Sequence, residues 1–136
     1  MASGNDTVRH DRGLAYFKSL HPDAAKAMQE NLGDIAPDLM RYVAEFPFGD
    51  IYARDGLDEK LRQTVTLSAL ACGSHIDQLK IHLQIARNMG FSRDELVEIF
   101  IQLAPYAGFP VAINAVMAVK DVFLTESAST PRIQEK

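Results

Sequence analysis

The chain is predicted to be all-α, a single domain built as a bundle of about six to seven helices, and three observations predict this. Apolar residues recur at three- and four-residue spacing along most of the chain, and almost nothing alternates with strand period. Prolines and glycines fall where helices would start and stop. The length of 136 residues, with 47% hydrophobic and 24% charged, suits one domain with a real core.

Taken in order, the polar ends 1–10 and 125–136 read as flexible, flanking a helical domain over 11–124. A first helix covers Asp11 to Leu20. Pro22 opens a second that runs to Leu32, where Gly33 offers a stop. Pro37 opens a third, with Ile35, Leu39, Tyr42, Val43 and Phe46 at core spacing. Phe46-Pro47-Phe48-Gly49-Asp50 reads as a turn, and Ile51-Tyr52 as a short apolar anchor. Asp58 is a good N-cap for a helix from Glu59 to Ala71, with Leu61, Val65 and Leu70 as buried candidates. Gly73-Ser74 breaks it, and Ile76 to Met89 forms the next. Ser92 to Glu95 is a capping box for a helix with Leu96, Ile99, Phe100 and Leu103 inward, which Pro105 should kink or end. Pro110 begins the last helix, to Leu124.

Composition narrows the function classes. A net charge of −4, with no face collecting Lys and Arg, argues against a nucleic-acid surface. No stretch approaches the roughly 20 apolar residues of a membrane helix, and the N-terminus lacks a secretory pattern. The single Cys72 leaves no internal disulfide and no Cys-x-x-Cys pair. The expectation is a cytoplasmic protein with a small-molecule partner, and with neither nucleic acid nor membrane.

Chemistry gathers on the helix from Ile76 to Met89. Ile76, Leu79, Leu83 and Ala86 form an apolar stripe, widened by Ile81 and Ile85. His82 borders it, and Gln78 and His75, four and seven residues back, share its face. One reading makes His82 the acid or base of a pocket. The other makes it a core histidine satisfied by Gln78 or by a carbonyl. A metal held by His75, His82 and a carboxylate is disfavoured, because seven residues of helix separate the rings by about 10 Å. Cys72 ends a helix rather than beginning one and reads as an inert buried thiol. The amides at Gly108-Phe109-Pro110 are a weak anion-binding signal that any helix start would share.

An ordered set of short motifs resembles the carboxymuconolactone decarboxylase family, whose superfamily includes alkyl hydroperoxidase D. The pieces are Phe48-Gly49-Asp50-Ile51-Tyr52, Arg54-x-Gly56-Leu57, Arg62-x-x-Val65-Thr66 and Leu79-Lys80-Ile81-His82-Leu83. They continue with Asn88-x-Gly90-x-Ser92-Arg93-Asp94-Glu95, Gln102 and Tyr106-x-Gly108-x-Pro110-x-Ala112. The resemblance spans Asn31 to Phe123, about two thirds of the chain.

This resemblance implies an alkyl hydroperoxidase D-like helical fold assembled as a homo-oligomer, a trimer or hexamer, with active sites near subunit contacts. It also implies cofactor-free decarboxylation of 4-carboxymuconolactone in aromatic-compound degradation. His82 would then be the proton donor, with His75 and Gln78 beside it in the catalytic group. Arg54, Arg62 and Tyr106 would bind the substrate. No metal is implied. Thiol-active relatives carry Cys-x-x-Cys-x-x-x-His and an upstream glutamate. Aligned on His82, their cysteine positions hold His75 and Gln78 here, and their glutamate position holds Gln63. Dithiol peroxide reduction is therefore not available, which leaves a one-cysteine cycle at Cys72 as the redox alternative. The decarboxylase branch commonly has glutamate where Gln78 stands, and a neutral amide cannot raise the pKa of His82 as a carboxylate would. A related lactone or β-keto acid is thus a second substrate class, and a non-catalytic binding or accessory protein a further alternative.

Overall fold

The computed structural model describes residues 4–127, and within them the protein is all-α. Seven α-helices and one wider π-helical segment occupy the described residues: α1 (Gly4–Leu20), α2 (Pro22–Leu32), α3 (Pro37–Val43), the π segment (Ala44–Ile51), α4 (Glu59–Cys72), α5 (Ile76–Asn88), α6 (Arg93–Ala107) and α7 (Phe109–Ser127). They cluster as two compact units, one ending at Arg62 and one beginning at Gln63. No helix among the described residues is long and apolar enough to cross a membrane.

In the first unit, α1 lies along the π segment. Gly13 permits the approach, since a Cβ there would sit 1.7 Å from the carbonyl oxygen of Ala44. Phe17 stacks on Phe48 at 4.3 Å between ring centroids, and Phe48 on Tyr52 at 5.3 Å. Arg9 donates to Asp50 at 2.6 Å, and Arg12 donates to the Gly49 carbonyl at 2.9 Å. These anchors explain why α1 starts at Gly4, seven residues before the expected Asp11. The sequence there is polar, but its arginines have partners 37 and 41 residues away. Residues 1–3 and 128–136, parts of the ends expected to be flexible, lie outside the described residues.

The segment expected as a turn at Phe46 to Asp50 is helical. Pro47 has no N–H to close an α-turn, and the chain widens so that Tyr52 donates to the Pro47 carbonyl at 2.9 Å. The core face also differs from the expected one. Met40, Ala44 and Phe48 are buried at four-residue spacing, while Ile35, Leu39, Tyr42 and Phe46 are exposed. Apolar residues occupy both faces here, so periodicity alone did not choose between them.

In the second unit, Leu67 and Ala71 of α4 join Leu79, Leu83 and Ala86 of α5 in one core. Phe91, Leu96 and Phe100 enter it around α6, and Ala115, Ala118, Val119 and Val122 from α7. Burying each of the larger side chains contributes about 1.5–3 kcal/mol, which makes this cluster the dominant stabilising feature of the unit. Asp58 caps α4 through the Leu61 amide at 2.9 Å, and Ser92 caps α6 through the Glu95 amide at 3.0 Å, both as expected. On α4 the expected inward residues Leu61 and Val65 are 53% and 61% exposed, because the buried stripe runs through Gln63, Leu67 and Ala71. Helix α6 does not end at Pro105. Proline there costs one hydrogen bond in the final turn, and the helix continues to Ala107 before Gly108 turns the chain at φ +93°.

Candidate active site

The second unit holds a buried polar pair between two helices. On α4, Gln63 occupies the same stripe as Leu67 and Ala71 and is fully buried. On α5, His82 is half-buried on the turn between Leu79 and Leu83, both of which are wholly inside. The Gln63 Nε2 donates to the His82 carbonyl at 2.9 Å and lies 3.2 Å from the His82 Nδ1.

Donor and acceptor chemistry fixes the protons in this arrangement. A backbone carbonyl can only accept, so the amide must present its NH2 group to it. The second N–H of that group then meets Nδ1, which must accept, and the proton of the neutral ring is left on Nε2. Among the described residues no hydrogen bond engages Nε2. Burial pushes the His82 pKa from 6.5 down to about 4. The amide facing Nδ1 acts in the same direction, since a protonated ring would set donor against donor. At pH 7 the lowered pKa leaves the His82 ring neutral, with its proton on Nε2.

Sequence expectation placed His75 and Gln78 beside His82. Both are exposed, and the side-chain partner of the ring comes from α4 instead. Gln63 was visible only as the residue at the family's glutamate position. The four-residue phase it shares with Leu67 and Ala71 was a further signal, one that Leu61 and Val65 obscured. Cys72, expected to be buried, is exposed. It is one residue past Ala71 and so off the buried stripe. Tyr106 is 84% exposed near the end of α6.

The first unit carries a separate recess of about 430 Å3, in which Tyr16, Tyr52, Arg54, Asp58, Glu59 and Arg62 are among the lining residues. Arg62 donates from Nη2 to the Arg54 carbonyl at 3.0 Å. Tyr16 donates to the Glu59 carboxylate, and burial followed by that hydrogen bond pushes its hydroxyl pKa up. The expected carboxylate binders therefore share one opening, but with acidic neighbours that balance part of their charge. Among the described residues no group of three or more His, Cys, Asp or Glu could hold a metal ion.

The sequence pattern of the carboxymuconolactone decarboxylase family matches residues 37–121. A 4-carboxymuconolactone decarboxylase of Acinetobacter baylyi is 31% identical over 120 residues, covering 88% of this chain and 90% of that protein. The chain belongs to the carboxymuconolactone decarboxylase family. Other similar proteins are an uncharacterised 15.0 kDa protein of Paracoccus denitrificans, 25% identical with 93% of this chain and 89% of that protein covered, and a nitrosuccinic acid decarboxylase of Metarhizium robertsii. The last is 30% identical over 57% of this chain and 54% of its own length. Membership in the carboxymuconolactone decarboxylase family, with two decarboxylases among these relatives, supports a decarboxylase-like function.

Proposed function

We propose that this protein is a cofactor-free carboxy-lyase acting on a small lactone carboxylic acid, with 4-carboxymuconolactone as the first substrate to try and a related lactone or β-keto acid as the second. The observation that carries this reading is the 31% identity to a 4-carboxymuconolactone decarboxylase across 88% of the chain. Loss of CO2 leaves an electron pair that an unsaturated lactone can delocalise to its carbonyl oxygen. The reaction therefore needs a donor for that oxygen and a proton for carbon. His82 supplies both needs from Nε2. Arg54 and Arg62 hold the substrate carboxylates, with Tyr106 as a further substrate contact, and His75 and Gln78 flank the working face of α5.

The chain acts as a homo-oligomer, a trimer or hexamer. Supporting this is an exposed apolar groove of about 310 Å3 along α6 and α7, lined by Ile101, Ala104, Phe109, Ile113, Val116 and Met117 among others. Phe109→Asp should lower the molar mass measured by light scattering. An unchanged mass would remove this groove from the contact.

The activity test is purified protein with 4-carboxymuconolactone, following loss of lactone absorbance beside His82→Ala. Turnover that falls by about 10²–10⁴ in the variant is expected. Equal rates would take His82 out of the mechanism, and no turnover with any lactone or β-keto acid would sink the substrate class.

A further inference from the structure

We propose that Gln63 is a positioning residue that holds His82 as the neutral ring with its proton on Nε2, so that His82 enters the reaction as an uncharged donor rather than as an imidazolium acid. This rests on the decarboxylase reading, but the positioning itself is a property of the free protein.

Gln63 sits where its amide needs partners inside the fold. A fully buried amide on an otherwise apolar stripe loses its water and must recover hydrogen bonds inside. Two of its contacts fall on one residue of the neighbouring helix, at the carbonyl and the imidazole of His82. The two contacts lock each other. Protonating Nδ1 would oppose it to an NH2 donor, and turning the amide to offer its oxygen would give up the 2.9 Å bond to the carbonyl. Methionine or leucine would fill the same space without choosing a tautomer.

Charge around the ring does not reverse this choice. Burial is the cause of its lowered pKa, with no charged group of α4, α5, α6 or α7 contributing. The cations of α5 are turned elsewhere: Lys80 pairs with Asp121 of α7 at 3.2 Å, and Arg87 donates to the Val122 carbonyl at 3.1 Å. In the proposed reaction the bond between the ring carbon and its carboxylate breaks, CO2 leaves, and the electron pair moves into the conjugated carbonyl. The Nε2–H of His82 donates to that oxygen as it charges. Carbon then takes up one proton, relayed through Nε2 and restored from water, so each CO2 released consumes one proton.

The test is nitrogen-15 NMR of the His82 ring in the full chain, in the wild type, Gln63→Glu and Gln63→Met. The wild type should show a donor-type Nε2 and an acceptor-type Nδ1 at pH 7, with a titration midpoint near 4. A carboxylate in Gln63→Glu should move the proton to Nδ1 and raise the midpoint by about two units. Gln63→Met should leave a mixture of tautomers. An Nδ1–H ring in the wild type, or a single Nε2–H tautomer retained in Gln63→Met, would overturn the proposal, and both hold even if Gln63→Glu does not fold. No substrate is needed, so failure of turnover and failure of the positioning are separate results.

Discussion

Asp50 in the first unit and His82 in the second are both fixed by partners far along the chain, yet one is held charged and the other neutral. Asp50 lies between two arginines, and the hydrogen bond from Arg9 holds its carboxyl below the usual range. His82 meets the neutral Gln63 amide beside the buried Leu79 and Leu83, and burial holds it below the usual imidazole range. A cation stabilises an anion where water still reaches, whereas burial beside a neutral donor selects the uncharged form. The two polar sites therefore serve different ends. Arg9, Arg12 and Asp50 fasten α1 to the π segment, while Gln63 engages His82 at its carbonyl and Nδ1 and leaves the Nε2 side of the ring for the proposed donor role.

The charged site is most easily disrupted at the close approach that supports it. Gly13→Ala would drive a methyl group into the Ala44 carbonyl. It should destabilise the first unit by about 3 kcal/mol or more, measured by urea unfolding. A cost under about 0.5 kcal/mol would mean that α1 does not approach the π segment so closely.

Acidification separates the two sites because their windows differ. The pKa of His82 is lower in the folded state, so as pH falls from 6.5 to about 4 the unfolded chain takes up a proton that the folded chain refuses. Stability should drop by about 3 kcal/mol across that window, and His82→Gln should abolish that component. An identical pH slope in the variant would show that the ring is not buried as described. Asp50 behaves as a depressed carboxyl does: its contribution is complete above its unfolded pKa of 3.8 and is lost as pH falls through its folded value. Asp50→Asn should remove the component that is lost as pH falls below about 4. The smallest effect belongs to Cys72→Ser. This change should leave decarboxylation untouched, and a large loss of rate would reopen the one-cysteine reading.

Much of this was legible in the sequence because it is local. Pro22, Pro37, Asp58 and Ser92 mark helix starts by hydrogen-bond requirements that neighbours satisfy, and the structure begins its helices there. The Leu79, Leu83 and Ala86 stripe likewise follows from helix period alone. What escaped depends on distant partners. Pro47 and Gly49 have turn chemistry, and only the packing of α1 against them favours a π segment. The phase of α4 could not be chosen while Leu61 and Val65 offered an equally apolar face. Gln63 was hard to single out for the same reason, since its bonds to the His82 ring and carbonyl reach 19 positions along the chain.

The pH dependence of kcat/KM with 4-carboxymuconolactone tests the neutral His82 most directly, because it reports the protonation state that the free enzyme must have. A profile that stays flat between about pH 5 and pH 8 is the expected result for an uncharged donor. A fall of about tenfold per pH unit over that range, as an imidazolium acid with a pKa near 4 would give, contradicts it.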